Sequence, residues 1–582
     1  MFAREHTVKS RGKSYTYIKL VENVWGDNGH EQRELVNLGN KDHWPPERLA
    51  KFRAELARLE AKFLGIDYHP LEGSHCSEFG EALALDAIWR RLRIDTHLRA
   101  CLKSVKVEFD VANAIKVMVF NRLIDPHSKL GLCSWTPRYH FPNLGIPSFQ
   151  LQHYYRALDY LMAIKGKLEP RIWEETRSLF NSQATLVFYD MTSTYFHGEM
   201  AGSQLARHGK SKDGRGDCKQ IMLGLLVDAE GMPITHHVLA GNTKDNTTVK
   251  QVTDDLKKRF DIRHCIFIGD CGTLDTNSIL DLKGRDQKRH YDYITTLKLR
   301  RNDQAESLIK ALPARSSFLP PPKGEEGKEW LYAIPESEDE EDEATPESVD
   351  EKEERIRYLA TYLPKSARAA MKARKARLRK IRDRLKYLGR PAHERKRKDP
   401  PRIIRKYIQN FLKEQNAESL LDWKFHRNYR LEYRWLRDPI RYEKERDGLQ
   451  IMKTDSTILS DRDVVRGYRT LWRVERAFRE LKDNIDIRPN HHRTDTRISG
   501  HVFCCVLAYL MENVIDQLLG QAGVALSARK ALESLRSIHA LKIPFRLQVS
   551  PDKVLERFVY SYLIYGKKIL LVDCGVAGSK DK

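Results

Sequence analysis

The rhythm of hydrophobic and polar positions changes several times along the chain, and each change marks an element. Residues 14 to 39 alternate: SYTYIKLVENVW, then Asp27-Asn28-Gly29 as turn residues, then ELVNLG, the pattern of a β-hairpin. Trp44-Pro45-Pro46 closes that unit, and Glu47 to Phe63 reads as a charged amphipathic helix. From about Glu78 to Phe180 the period is helical throughout, and ALALDAIWRRLRI and VANAIKVMVFNRLI are strongly apolar on one face. Leu186-Val187-Phe188-Tyr189 is different. Four bulky residues in a row predict a strand buried on both faces, and Asp190 follows them. Cys265-Ile266-Phe267-Ile268-Gly269-Asp270 repeats the design. Between and beyond these lie a strand Lys219 to Val227, a turn Asp228 to Gly231, a returning strand Pro233 to Ala240 and a helix Asn246 to Phe260. A helix near Leu274 to Leu282 and a strand Asp292 to Leu299 complete a mixed α/β sheet within residues 184–300.

Residues 300–460 interrupt that order. Between Glu336 and Glu354 stand twelve acidic residues and one lysine; between Lys365 and Lys406 stand nineteen Lys or Arg against three acids. Such blocks are often solvated, or pair with each other. Ala367 to Leu388 nevertheless keeps a helical rhythm and predicts a long basic helix, while WKFHRNYRLEYRW and DGLQIMKTD read as strands. A helix capped by Ser460 or Asp461 then runs to about Asn484. On it Tyr468, Glu475 and Lys482 are seven residues apart, within ~20° of one face, and Tyr468 and Lys482 are candidate DNA-backbone contacts either side of Glu475. The implied divisions are 1–65, a hairpin-helix module; 66–182, a helical DNA-binding domain; 183–300 and 460–520, two parts of a catalytic domain; 301–459, an insertion; and 521–582, a C-terminal region.

Composition narrows the partner. A formal charge of +22 over 582 residues favours a polyanion, nucleic acid before membrane surface. Nine scattered cysteines without a Cys-x-x-Cys pair predict reduced cytosolic thiols. The start MFAREHTVKSRGK has no apolar signal core, and the apolar run Val502 to Met511 is too short to span a bilayer.

The chemistry is read from carboxylates. A carboxylate closing a buried strand costs solvation unless a cation or hydrogen bond meets it. Asp190 and Asp270, followed by Glu475 on a helix, suggest a metal site. With no thiolate among them they suit a hard ion, Mg²⁺ or Mn²⁺. Two such ions ~3.5–4 Å apart stabilise the attacking and leaving oxygens in many nucleases. Asp190 would bridge both ions, Asp270 hold one and Glu475 the other. The loop Arg207 to Arg215 has four Lys or Arg in nine residues plus His208, and Lys210, Lys212 and Arg215 are its candidate DNA contacts. Gly209-Lys210-Ser211 is not a phosphate loop, because position 204 is Gln. Arg488, His491, His492 and Arg493 are candidate phosphate contacts, His491-His492 lacking partners at zinc spacing. Trp423 and Trp435, in the strand-like half of residues 301–459, are candidate aromatic platforms for a displaced base.

Tyr468-x2-Leu471-x3-Glu475-x6-Lys482 resembles the Tyr-x2-Arg-x3-Glu-x6-Lys signature of one group of bacterial insertion-sequence DDE transposases. Leu471 replaces the Arg. YDMTSTYF around Asp190, IGDCGTLD around Asp270 and ERAFRELKDNIDIRPNHHRTDTRISGHV resemble the same family. The resemblance implies an α/β ribonuclease-H-like catalytic domain with a large insertion before the Glu helix, beside an N-terminal β-hairpin and helical DNA-binding region. It also implies Mg²⁺ (or Mn²⁺) dependence and cut-and-paste movement of an element with terminal inverted repeats. Water would free a 3′-OH, which then attacks target DNA. A homodimer on DNA, in the bacterial cytoplasm, would be the working form. Two other readings use the same residues: a ribonuclease-H-like nuclease or resolvase that cuts without joining, and a non-catalytic DNA-binding derivative.

Overall fold

Alternating side chains at the start of the chain build three antiparallel strands where the pattern predicts two. β1 (Phe2–Ser10), β2 (Lys13–Gly26) and β3 (Gly29–Asn40) form one sheet, with β2 in the middle. β1 escapes a hydrophobic-period reading because FAREHTVKS has few apolar residues and pairs along one edge. The structure, a computed structural model, describes residues 2–572 except 11–12, 27–28, 46–47, 49–50, 53–74, 143, 145–147, 181–185, 245–246, 284–289, 301, 324–327, 336–355, 391–398, 551–552 and 564–569. The expected Asp27-Asn28 turn, most of the helix expected from Glu47 to Phe63 and the acidic run after Glu336 lie outside the described residues. The chain divides into two units, Met1–Phe79 with Ser537–Lys582, and Gly80–Arg536.

In the second unit the helical stretch becomes five α-helices, Gly80–Arg91, Ile94–Leu102, Val111–Ile124, Lys129–Trp135 and Leu151–Phe180. Asp110 and Ser128 cap two of them, each side chain accepting a backbone N–H. Val111–Ile124 is buried on nearly all sides, and the polar residues it buries are paired, Lys116 with Asp86 and Arg122 with Asn121. So is Asp495–Gln521, which is long and apolar enough to cross a membrane, yet 67% of its most apolar stretch is buried inside the protein. That helix crosses Leu151–Phe180 at Gly500, where an added Cβ would stand 2.9 Å from Leu158 Cβ. Gly500→Val is therefore expected to cost about 1–3 kcal/mol through overpacking; denaturant unfolding measures it.

The sheet of this unit starts at β5 (Leu186–Tyr195), followed by the hairpin β6 (Gln220–Asp228) and β7 (Pro233–Ala240). Helix Val249–Phe260 leads to β8 (His264–Ile268), and helix Thr276–Lys283 to β9 (His290–Thr296). β5 runs antiparallel to β6 and parallel to β8, and β8 is parallel to β9. The insertion then widens the sheet. β10 (Trp330–Ile334), β11 (Arg357–Tyr362) and β14 (Leu449–Thr454) add to the β9 edge, giving the order β10-β11-β14-β9-β8-β5-β6-β7.

Between β11 and β14 the chain makes a lobe with its own core. The basic helix Pro364–Leu388 packs on helix Pro401–Glu414 and on the hairpin β12 (Leu421–Phe425) and β13 (Leu431–Trp435) through Ile381, Leu385, Ile408, Phe411 and Phe425. After β14 comes a second departure from expectation. The stretch from Ser460 to Asn484 is two helices, Asp461–Arg469 and Trp472–Asp483. At the junction Leu471 N–H donates to Tyr468 O (3.1 Å) and Val474 N–H to Leu471 O (3.2 Å), tighter i→i−3 links, and the Thr470 hydroxyl bonds back to Gly467 O. Tyr468 therefore leaves the stripe that Glu475 and Lys482 still share.

The chain returns to the first unit through β15 (His539–Ser550), β16 (Lys553–Leu563) and β17 (Leu570–Val572), which pair in the order β17-β16-β15-β4 with β4 (His75–Glu78).

Candidate active site

The register of two neighbouring strands places the first two carboxylates. Val187 pairs with Phe267 and Phe188 with Ile268. Asp190 and Asp270 each stand two residues beyond that last pair. Asp190 is still within β5 and shares a face with Phe188 by the two-residue period of a strand, whereas Asp270 lies past the end of β8, where its charge reaches Tyr468 on helix Asp461–Arg469. Leu186, Ile268 and Ile294 show which face carries Asp190: their methyl carbons lie 3.5–3.8 Å from where a Cβ on Gly467 would stand. Helix Asp461–Arg469 thus packs on that face.

Asp190 is half-buried, and its Oδ1 accepts the Met191 N–H at 2.7 Å. Lys212 Nζ lies 3.8 Å from the same oxygen, and also donates to Met191 O. The Lys212 backbone is fixed by its N–H to Ser193 Oγ at 2.9 Å. Asp270 is exposed, and its Oδ1 accepts from Gly272 N (3.0 Å) and Thr273 N (2.8 Å). Glu475 is exposed and has no hydrogen-bond or ion-pair partner among the described residues, not even Arg479 one turn on. Val474, Ala477, Phe478 and Leu481 bury the sheet-facing side of its helix. Arg473 donates to Ala229 O and Arg476 to Asp516 (2.7 Å), so that flank faces β6, β7 and helix Asp495–Gln521. Glu475 and Lys482 occupy the opposite flank, where Lys482 meets Asp213 of the loop after β5. Among the described residues no three acidic, histidine or cysteine side chains converge into a ready ligand cluster. Glu475 therefore stands at the rim, and a closed ligand set with Asp190 and Asp270 is not formed.

The donor chemistry fits a hard divalent ion. The three groups are carboxylates, and a cation, Lys212, already lies against one of them. Cys271, beside Asp270, is a soft donor that suits a hard ion poorly, and burial and the Asp270 charge push its thiol up.

Around this face the expected DNA contacts fall into three groups. Lys212, Arg215, Lys482 and Arg488 gather at the end of β5. Lys482 Nζ (2.7 Å) and Arg488 Nη1 (2.5 Å) both bind Oδ1 of Asp213, whose side chain is only 6% exposed. Burial pulls the Lys482 ammonium down while Asp213 opposes the shift. Arg215, held by Asp217, lies 5.1 Å over the Tyr195 ring, and Arg488 lies 6.0 Å from the same ring. Lys210, His491 and Arg493 are exposed in the second group, whereas His492 is pushed down to about 3 by burial and by the Lys129 charge. Tyr468 turns inward: its hydroxyl hydrogen-bonds Thr296 Oγ1 at 3.2 Å and is pushed up by burial, with the Asp270 charge adding to the shift. Leu471 packs against the core at the helix junction.

Trp423 and Trp435 form the third group, away from the sheet. Both lie on the hairpin face that packs against the lobe's core, so packing is their first role. Replacing either with Ala is expected to cost about 2 kcal/mol, below the ~3–5 kcal/mol of a fully buried Trp. Chemical denaturation checks this; unchanged stability with lost excision would return them to a stacking role.

Sequence reasoning passed over Asp213, Tyr195 and Thr296. Asp213 had a signal: it is the one acid in the basic loop Arg207 to Arg215. Tyr195 and Thr296 had none, since only the fold brings them to this edge.

The family description "Transposase DDE domain" matches residues 182–511. The chain belongs to the DDE transposase family. The match runs from just before β5 to within helix Asp495–Gln521, so it takes in Asp190, Asp270, Glu475 and the whole insertion. No curated protein matches the chain. Among solved structures, the cryo-EM structure of the piggyBac transposase synaptic complex with hairpin DNA is similar to this DDE-family chain. It covers 78% of this chain and 79% of that one, with 7% identity and a TM-score of 0.35, too slight a likeness to argue from.

Proposed function

We propose that this DDE-family protein cleaves DNA at the ends of a mobile element and joins the freed 3′-OH to target DNA. The observation that carries the reading is the register of β5 and β8, which brings Asp190 and Asp270 to neighbouring strands on the side where helix Asp461–Arg469 packs. The strand order β7-β6-β5-β8-β9, with β5, β8 and β9 parallel and the hairpin antiparallel, supports a ribonuclease-H-like catalytic core. The +22 charge supports DNA as partner, with the terminal inverted repeats and a target duplex as its two substrates.

Asp190, Asp270 and Glu475 would hold Mg²⁺ or Mn²⁺, two ions in this reading, and Glu475 has to move in from the rim to do so. When bound, such ions supply Lewis acidity at the scissile phosphate and an activated water. The chain's own residues position the strand. Lys212 neutralises Asp190 before loading and is free to turn to a phosphate once that charge is otherwise met. Lys482 and Arg488, clamped by Asp213, present a fixed positive edge to the backbone beside the cut. Cleavage and joining use the same face in turn, in a homodimer that holds both ends.

A strand-transfer assay with a pre-cut end and Mg²⁺ tests the reading. Joined products are expected. Cleavage of intact ends without any joining would instead support a nuclease or resolvase.

A further inference from the structure

One helix of the insertion lobe carries an arrangement that folding does not require. Along Pro364–Leu388, Lys365, Arg368, Lys372, Lys375, Arg379, Arg382 and Lys386 recur at alternating steps of three and four residues. At ~3.6 residues per turn these positions share one stripe about 100° wide, and at ~1.5 Å rise it runs ~31 Å. All seven side chains are exposed, and none has a hydrogen-bond or ion-pair partner among the described residues. The other arginines of the helix behave differently. Arg374 binds Asp447, Arg377 binds Glu443, and Arg384 bonds the Tyr407 hydroxyl with its guanidinium 4.8 Å from that ring. The lobe thus pairs the arginines that face it and leaves the outer stripe bare.

Like charges at i,i+3 and i,i+4 repel along a helix, and here the repulsion repeats at every step. A merely solvated face would intersperse acids, but Asp383 is the one acid in this helix, at the edge of the stripe in line with Lys365. A polyanion laid along the stripe turns the repulsion into attraction.

We propose that this stripe is a docking surface for the backbone of duplex DNA, distinct from the carboxylate face and indifferent to sequence. The inference rests on the transposase reading for its partner. Duplex DNA supplies phosphates at ~3.4 Å per base pair along each strand, so ~31 Å spans about nine base pairs. Long lysine and arginine stems reach phosphates without reading bases.

The test uses the full chain in EDTA, so that nothing is cut, and a random-sequence duplex of about thirty base pairs. Affinity is measured by anisotropy across a salt series. Replacing all seven residues by Gln is expected to flatten the slope of log affinity against log salt by up to about six, since each phosphate contact contributes ~0.9. A rotated variant keeps the net charge: Lys372→Ala with Ala373→Lys, and Arg368→Ala with Ala369→Arg, moves two charges about 100° to positions that are also exposed. It is expected to lose between one and two units of slope while its circular dichroism is unchanged. A wild-type slope from the folded sevenfold variant would overturn the docking surface. A wild-type slope from the rotated variant would overturn the stripe and leave bulk charge in its place. Failure of the catalytic reading would show elsewhere, in Mg²⁺-dependent cleavage, and would leave both slopes as they are.

Discussion

Asp190→Asn and Asp270→Asn are each expected to abolish Mg²⁺-dependent end cleavage while the protein stays folded and still binds DNA. The loss should exceed the ~10–100-fold that changes behind a metal's direct ligands produce. An amide keeps the shape of the carboxylate but brings no charge to a hard cation. The fold tolerates the change for a visible reason. In Asp270→Asn the amide keeps a carbonyl oxygen for the Gly272 and Thr273 N–H groups that Asp270 now serves. At position 190 the Met191 N–H likewise keeps its acceptor. Cleavage of labelled ends with Mg²⁺, beside gel-shift binding in EDTA, separates chemistry from binding. Near-normal cleavage by either variant would remove that carboxylate from the site.

Lys482→Ala is expected to slow cleavage of a pre-bound end on the order of 100-fold, on every end sequence alike. Lys482 and Arg488 share one oxygen of nearly buried Asp213, which follows Lys212 in the loop against Asp190. Losing the lysine leaves Asp213 with the arginine alone and loosens the loop relative to the Glu475 helix. Misplacement of about an ångström costs that much in rate. The conservative change Asp213→Asn keeps a hydrogen-bond acceptor and should fall between wild type and Lys482→Ala. Single-turnover rates decide the matter; a wild-type rate from Lys482→Ala would confine the Glu475 helix to its glutamate.

How much of this was legible beforehand depends on the range of the forces involved. The strands that lead to Asp190 and Asp270 could be read because fully buried strands are apolar without alternation; that β5 runs on past Asp190 to Tyr195 could not, because MTSTY has no such apolar run. The break at Thr470 could not be read. It depends on a hydroxyl turning back to Gly467 O, and the heptad spacing of Tyr468, Glu475 and Lys482 is the same with or without it. Trp423 and Trp435 looked like candidates for a base because a one-dimensional pattern does not say which face of a hairpin meets a helix. The β15–β4 pairing joins residues more than four hundred and fifty positions apart, beyond any local pattern. Lys482 was placed on the correct flank by periodicity, but its partner Asp213 comes from a loop 269 residues earlier.

The lobe enters and leaves the sheet through one doorway. β11 ends at Tyr362 and β14 begins at Leu449, and these two residues are partners in the ladder. Leu363 N–H then bonds Gly448 O at 2.9 Å, with Gly448 at φ +71°, the left-handed conformation suited to a tight turn. The lobe's end near β14 is also tied to the frame, where Tyr442 and Arg446 donate to Leu299 O and Arg315 donates to Glu445 O. A two-residue reverse turn would close the gap left by its excision without disturbing the register of β11, β14 or β9. The lobe is thus exchangeable cargo on a permanent frame: it can be lost, replaced or enlarged over evolutionary time while the carboxylate-bearing strands keep their alignment.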